Sequence, residues 1–598
     1  MKAKDSFSIP PDPQIVLESC GTIDKERVAR RVPLPMLKFK SRKKKKGKPQ
    51  TDEPVLSKKE LAQLKRQQTA ARKKLLNTIA ICFGCIVLLG VPLSLVLGVK
   101  MGMAVALGLP VMFFSYQYPR LSLWIFLIYM PFSGTVVYWV VGGNAIFQLA
   151  KDAFYLPAAL ALAVECYRNK KTFFYPKDLA STLGLLLFCS VMTLMVVNGS
   201  MQFFWPDCSP NIDPGISCKE KIPLAQGILG LKVLLGYIPL MFCAYILIDT
   251  KKKLLWLTRT HVTLAIVCCV LNIAQYQMLR SGICAGTEAL GVTGDDLFKA
   301  SLDAKCLVGG ALTYTPSQNQ IRLPGTFVSP WHWAWFLNSN SALTFATAFS
   351  DPSLLWRIAG MVGMGVVFIS SVISGQRIAT LLVPTIIVLL LILTGQVANL
   401  KRFIPIALAL SLLLTVAAAS NPEVIQERID STIERVAHAP PHKFIQEQFE
   451  WSISEQRGFL GRGLGTGTNS TRVLGKTALI ETYHPKLLYE MGWPGLMAFV
   501  IFTSHIAYLS FRHYRQVKDK NLRSFGSSFW VFVFIISFFP YWYPLDTDPV
   551  CVYYWFFTGV IFRLPEIDKE EQKKLKAAKE NEVQLPPKRK SKIKRRVA

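Results

Sequence analysis

The sequence is poor in charge for its length. Of its 598 residues only 18% are Asp, Glu, Lys or Arg, whereas 51% are hydrophobic and the mean hydropathy is positive at +0.31. In soluble domains about a quarter of the residues are usually charged, so the composition argues against an ordinary soluble enzyme. A secretory signal peptide is also not expected, because the first apolar run begins only near Leu75 and is long enough to remain as a membrane span.

Other familiar patterns are missing as well. We find no internal repeat, although many transporters are built from paired repeats. Two prolines separate His438 from His442, which rules out a helical metal-binding pair, and no cluster of Asp, Glu or Cys accompanies them. The glycine-rich stretch 461–467 lacks the Lys-Ser/Thr ending of a phosphate loop, so we interpret it as a flexible turn that lets backbone approach a sugar. A metal site is therefore not expected.

Long apolar runs are what the chain does have. A bilayer core of about 30 Å needs about 20 apolar residues in a helix. We predict fourteen such spans, near 77–99, 101–117, 121–142, 145–167, 179–199, 223–248, 254–278, 329–349, 356–373, 378–396, 403–419, 487–510, 526–542 and 549–563. The expected fold class is all-α, a polytopic transmembrane helical bundle of about 12–14 spans with a partly helical exoplasmic loop domain.

The net charge of +31 is concentrated at the two ends of the chain. Residues 1–76 contribute +13 and residues 563–598 contribute +7. Lys and Arg also collect on alternate connections between spans, for example at Arg120, Lys251–Lys253 and Arg512–Arg523, as expected of cytoplasmic loops. We therefore expect both tails in the cytoplasm, against anionic lipid rather than nucleic acid.

Alternation of the spans then predicts the domain organisation. The expected order is a basic cytoplasmic tail (1–76), eleven transmembrane helices (77–419) with outer loops near 200–222 and 279–328, a large periplasmic loop (420–486), three further helices (487–563) and a second basic cytoplasmic tail (564–598). Cys208 with Cys218, and Cys284 with Cys306, fall on two predicted outer loops, where disulfides persist, so we expect a bridge in each.

The predicted outer face also collects residues suited to group transfer. His484 precedes a proline that suits the start of a helix, and Arg377 lies at the outer end of the ninth or tenth span. An imidazole can act as general base near neutral pH, and a guanidinium matches phosphate oxygens. Alone, each has a simpler interpretation, as an interfacial His or a salt-bridged Arg. Together with Arg428 or Arg435 of the large loop they would suit a lipid diphosphate donor.

Further residues near His484 are candidates for substrate binding. Gly492 and Gly495 are three apart, which would place them on one helix face and let another helix or a lipid chain approach. Tyr483 could stack on a sugar, although interfacial aromatics are usually belt residues. Lys151, Asp152 and Lys232 are charges inside predicted spans, which either pair with one another or serve a proton-coupled transporter.

Four stretches together give a family resemblance. They are Arg322–Pro330 before an aromatic span, Ser374-Gly-Gln-Arg377, Phe449-Glu-Trp451 followed by Gly458–Gly465, and His484 followed by Gly492 and Gly495. In this order they resemble motifs of the O-antigen ligase and polymerase superfamily of bacterial envelope glycosyltransferases, over about residues 320–505. The basic tails resemble those of cyanobacterial members linked to hormogonium-type polysaccharide. Pro485 and Trp331 depart from the family pattern, which usually has Asn at both positions.

The resemblance implies a metal-independent transferase without a cofactor, which moves an undecaprenyl-diphosphate-linked glycan to an acceptor glycan in exopolysaccharide biosynthesis. By position, the catalytic residues would be His484, Arg377 and Arg435, with Arg428 as the alternative second arginine. Other polysaccharide-assembly proteins would be partners, and the location would be the bacterial inner membrane. Two alternatives remain open: a transporter of polysaccharide or small solute that uses the charges within the spans, and a non-catalytic scaffold in which only the tails matter.

Overall fold

The computed structural model of the protein describes residues 58–140, 142, 150–208, 218–219, 221–293, 295–395, 426, 430, 433, 437 and 440–583. The chain divides into two compact units, Met1–Phe114 and Ser115–Ala598, and the second unit carries every residue of the candidate site. The described chain is mostly helical with almost no strand, which confirms the predicted all-α polytopic bundle.

The helices are numbered in chain order. They are α1 (Lys58–Leu97), α2 (Val99–Gln117), α3 (Pro119–Tyr129), α4 (Ala150–Arg168), α5 (Leu179–Thr193), α6 (Gly199–Phe204), α7 (Pro223–Leu235), α8 (Pro239–Leu247), α9 (Lys251–Arg280), α10 (Asp295–Asp303), α11 (Pro330–Ser350), α12 (Leu354–Ile373), α13 (Arg377–Leu393), α14 (Pro441–Ser454), α15 (Tyr483–Arg515), α16 (Lys520–Phe538) and α17 (Val550–Val583). A 3₁₀ turn, one α turn and a π turn extend α3 to Val140, and a π turn (Leu194–Asn198) joins α5 to α6.

Local sequence explains many of the helix starts. Proline occupies the first residue of α3, α7, α8, α11 and α14, where its missing N–H costs nothing and its fixed φ suits the helix. Asp519 caps α16, because its carboxylate accepts the N–H groups of Asn521 and Leu522 at 2.8 and 3.0 Å.

The described residues hold one small sheet, which lies between α10 and α11. Strands β1 (Thr313–Thr315) and β2 (Gln320–Arg322) pair antiparallel, with Thr313 opposite Arg322. This hairpin interrupts the long loop that the sequence predicts near 279–328.

The spans predicted from hydropathy correspond closely to helices. Each of the thirteen predicted spans within the described residues coincides with a helix, and the span predicted at 403–419 lies outside them. Nine of the described helices are long and apolar enough to cross a membrane: Lys65–Val96, Pro119–Val140, Leu179–Phe204, Pro223–Leu247, Lys251–Arg280, Leu354–Ile373, Tyr483–Arg515, Lys520–Phe538 and Val550–Ala578. The chain is thus a multi-pass membrane protein.

Helix α11 occupies the centre of the second unit. Almost all of its residues are buried, and it packs against α9, α12, α13 and α16. Several of its buried hydroxyl and amide groups bond back to the carbonyl four residues earlier, as in Ser339 to Trp335 at 2.8 Å and Thr344 to Asn340 at 2.7 Å. This helix can therefore carry polar residues without leaving these groups unsatisfied.

Contacts between loops define two ends of the bundle. At one end Lys251 pairs with Asp519 at 3.3 Å and Arg120 pairs with Glu165 at 2.9 Å. The other end carries the disulfides Cys208–Cys218 and Cys284–Cys306, with Cα separations of 4.9 and 5.6 Å, so both predicted bridges are confirmed. We call this second end the disulfide end. It comprises the described parts of segments 205–222, 281–329, 455–482 and 539–549.

Candidate functional site

The site is built around a sharp bend in α15. Gly492 interrupts this helix with φ 65° and ψ −170°, a backbone conformation that only glycine adopts readily. Tyr483 and Phe499 would be about 24 Å apart along a straight helix, yet their rings lie 5.3 Å apart. The segment 483–491 therefore folds back toward the next turns of α15. The expectation that Gly492 and Gly495 share one helix face is wrong, because the helix is broken at Gly492.

The glycine-rich stretch 458–467 packs into this bend. The bend leaves the carbonyls of Tyr489 and Glu490 free to accept the N–H groups of Arg462 and Gly463, at 2.8 and 3.0 Å. The Glu490 carboxylate returns to the same stretch, where it accepts the N–H of Gly467 at 2.8 Å. The stretch 461–467 is mostly buried. The interpretation of a flexible, sugar-facing turn is therefore wrong, since its backbone approaches α15 instead.

Replacing Gly492 by alanine tests this bend. A β-carbon there would collide with the carbonyl oxygen of Phe459 and would force a side chain into a strained φ. We expect the free energy of unfolding to fall by about 1–3 kcal/mol, which thermal unfolding in detergent would measure. Gly184→Ala, at a helical position with no atom within 4 Å of the added carbon, is the control and should not destabilise. An equally stable Gly492→Ala protein would contradict the bend.

A buried ion pair anchors the folded-back segment. The ammonium of Lys486 contacts the carboxylate of Asp546, and the two side chains are 3% and 6% exposed. The Tyr483 hydroxyl donates to the other oxygen of Asp546 at 3.2 Å, and the ring of Tyr543 lies 5.6 Å from the ammonium. Asp546 thus ties the start of α15 to the segment between α16 and α17.

A second set of charges adjoins this anchor. Asp548, two residues after Asp546, contacts the ammonium of Lys151 at the start of α4. Asp152 pairs with Lys232 at 2.7 Å and accepts a hydrogen bond from Tyr237 at 3.5 Å. The sequence left open whether the charges within the spans pair with one another. Lys232 and Asp152 do, whereas Lys151 takes its partner from the segment before α17.

Two of the predicted catalytic residues, His484 and Arg377, lie at helix starts that border the disulfide end. His484 is half-buried near the start of α15, with its ring centroid 6.2 Å from that of Tyr483 and 6.4 Å from that of Phe499. Arg377 is exposed at the first residue of α13. Arg428 and Arg435 lie outside the described residues.

The end of strand β2 lies near both predicted catalytic regions. The N–H of Leu323 donates to the carbonyl of Ser374 at 3.0 Å, three residues before Arg377. The neighbouring Arg322 lies near Glu481: partial burial lowers the pKa of its guanidinium, and the Glu481 carboxylate opposes that shift. Glu481 is three residues before His484. Arg322 and Leu323 thus lie near the approaches to His484 and Arg377, respectively.

Tyr483 does not have its predicted role. Its side chain is 2% exposed, its ring packs on Phe499 and its hydroxyl is bonded to Asp546. The prediction that it stacks on a sugar is therefore wrong, since the ring faces protein on all sides.

Sequence reasoning missed Lys486, Asp546 and Asp548. Lys486 lies at the start of a long apolar run, where the rule that charges in spans need partners could have singled it out. The two acids lie between predicted spans and resemble ordinary loop residues, so the sequence gives no comparable signal for them.

No group of three or more His, Cys, Asp or Glu side chains within the described part of the chain could hold a metal ion. Charges at and near the disulfide end form ion pairs, as between Lys486 and Asp546, Lys151 and Asp548, and Arg462 and Glu455. No protein-family model matches the chain, and no curated protein matches it.

Proposed function

We propose that the protein is a membrane glycan transferase that moves a lipid-diphosphate-linked glycan to an acceptor hydroxyl at the disulfide end. The observation that supports this proposal is that Leu323, just after β2, bonds to Ser374 ahead of Arg377, while Arg322 of β2 lies near Glu481 ahead of His484. The proposed base and the proposed phosphate-binding cation come from distant parts of the sequence, and the end of β2 lies near the approach to each. The resemblance of the motif order to O-antigen ligases and polymerases supports the same activity.

In the proposed reaction, His484 accepts the proton of an acceptor sugar hydroxyl. The hydroxyl oxygen forms the new glycosidic bond at the anomeric carbon of the donor, and the bond from that carbon to the diphosphate oxygen breaks. Arg377 and one loop arginine, Arg435 or Arg428, stabilise the charge on the departing undecaprenyl diphosphate. The Lys486–Asp546 pair positions His484 by fixing the folded-back segment of α15.

The proposed setting is the bacterial inner membrane, with the disulfide end on the exoplasmic face and both basic tails in the cytoplasm. Disulfides persist outside the reducing cytosol, which supports this orientation. The tails would contact anionic lipid, and other polysaccharide-assembly proteins would supply the lipid-linked glycan.

The alternative is a transporter of polysaccharide or small solute. The observation that favours it is a pair of ion pairs that involve charges within the helices, Lys232–Asp152 and Lys151–Asp548, because paired charges inside a membrane protein often mark ion or proton pathways. A transporter would move solute across a liposome membrane without forming a covalent product, whereas a transferase releases the lipid diphosphate.

Deleting the gene in its host tests the proposal in cells. We expect lipid-linked glycan to accumulate while mature surface polysaccharide is lost, because the transfer step would be missing. Short lipid-linked repeats would identify a polymerase, and full-length unattached polymer would identify a ligase. Chromatography of extracted lipid-linked glycans and gel analysis of polymer length measure both. Unchanged glycans and polymer in the deletion strain would contradict the proposal.

A further inference from the structure

Four aromatic rings form a continuous row at the disulfide end, which we call the aromatic row: Trp331, Trp542, Tyr541 and Phe444. Successive ring centroids are 4.6, 5.3 and 6.1 Å apart. The rings come from three separate parts of the chain: the start of α11, the segment between α16 and α17, and α14. Chain connectivity alone does not account for the row, so the fold assembles it.

The aromatic row differs from the core that it adjoins. Trp333 and Trp335, which follow Trp331 on α11, are completely buried, whereas all four rings of the row are only half-buried. Rings that serve packing alone are normally covered by other side chains. The row therefore presents a partly accessible apolar surface beside the start of α15.

The backbone beneath the row is strained. Trp542 and Tyr543 have φ values of 53° and 34°, a region that bulky residues rarely adopt. The surroundings hold them there, because the N–H of Trp542 donates to the carbonyl of Glu481 at 2.8 Å and the N–H of Tyr483 donates to Pro540 at 2.7 Å. Strained conformations persist mainly where they position a side chain for function. The strain thus points to a role for the Trp542 and Tyr543 side chains.

Polar groups border the aromatic row. The Asn469 amide donates to the Tyr543 hydroxyl at 3.4 Å, and Arg322 is exposed. Burial raises the pKa of the Tyr543 hydroxyl, and the nearby Glu481 carboxylate raises it further. An amide, a guanidinium and a carboxylate therefore lie around this end of the row, within reach of a ligand on the rings.

We propose that the aromatic row is a glycan-binding platform on which successive sugar rings stack while their hydroxyls bond to the bordering polar groups. A sugar ring offers an apolar C–H face and a polar edge, and the row offers an apolar surface with polar neighbours. A lipid tail would contact only the rings and would form no hydrogen bonds with the bordering amide and charged groups. The platform rests on the proposed function for its substrate class, since the glycan held there is the one transferred.

Binding without turnover tests the platform. The full-length His484→Ala protein in lipid nanodiscs, which should not turn substrate over, is titrated with oligosaccharides released by mild acid from the host's surface polysaccharide, and calorimetry measures their affinity. We expect Trp542→Leu and Trp331→Leu, each added to this protein, to bind about tenfold more weakly, a loss of about 1.4 kcal/mol. Trp331→Phe, which keeps a ring, should retain most of the affinity.

Trp205→Leu is the matched control, because Trp205 is also half-buried at the disulfide end but packs against Arg457 outside the row. It should leave the affinity unchanged. If Trp542→Leu fails to fold, the affinity of Trp331→Leu alone tests the platform, since Trp331 lies at an ordinary helical position.

The outcomes separate the platform from the transferase. Unchanged affinity in Trp331→Leu, or no binding by the parent protein, overturns the platform even if the wild-type protein transfers glycan. If the parent protein binds the oligosaccharides through the row but the wild-type protein never releases lipid diphosphate, the platform is supported and the proposed transfer is overturned.

Discussion

Replacing Lys486 by alanine is expected to lower the free energy of unfolding by about 3–5 kcal/mol. The substitution leaves the Asp546 carboxylate buried without its cation, and an unpaired buried charge is far more costly than a missing pair. It also removes the ammonium from beside the Tyr543 ring. Thermal and denaturant unfolding of the purified protein in detergent measures the change.

Two comparisons sharpen this prediction. The double variant Lys486→Met with Asp546→Leu should be more stable than Lys486→Ala, because neither charge then remains buried. Lys574→Ala breaks an exposed pair with Glu571 and should change stability by less than about 1 kcal/mol. A Lys486→Ala protein as stable as the wild type would show that Asp546 does not depend on Lys486.

Replacing His484 by alanine is expected to lower the rate of glycan transfer by about 10²–10⁴-fold, the usual contribution of a general base. Arg377→Ala should also lower it strongly, because the departing diphosphate would lose a cation. His484→Gln keeps a polar side chain but cannot accept the proton, so it should be as slow as alanine. The measurement is the initial rate of product formation in membranes supplied with lipid-linked glycan.

His442→Ala is the control for these variants. His442 is exposed on α14, which contributes Phe444 to the aromatic row, but it has no role in the proposed reaction. Its removal should leave the rate of glycan transfer at the wild-type value. If His484→Ala and Arg377→Ala membranes transfer glycan at the wild-type rate, the assignment of these residues is wrong.

Much of the fold follows from local sequence. An apolar run of about 20 residues predicts a helix wherever it occurs, because backbone groups in lipid must be satisfied within the segment. The disulfides follow from cysteine pairs on predicted outer loops. Helix ends are less predictable, as α15 shows: it begins at Tyr483 and ends at Arg515, beyond the predicted 487–510 at both ends.

The candidate site is less predictable because its contacts join distant segments. Nothing in the sequence around Lys151 indicates that its partner is Asp548, just before α17. Hydropathy also gives no sign that α15 bends at Gly492, since the run stays apolar through the bend. The burial of Tyr483 follows from that bend and from Asp546, so an interpretation based on neighbouring residues alone could not have found it.

The most direct test of the proposed transfer uses the purified wild-type protein in liposomes that contain undecaprenyl-diphosphate-linked glycan. Mass spectrometry would follow the glycan product and the freed undecaprenyl diphosphate together. We expect the product and the freed lipid diphosphate to appear in equal amounts, and neither to appear with His484→Ala. Solute crossing the liposome membrane with no freed lipid diphosphate and no covalent product would contradict the transferase and favour the transporter.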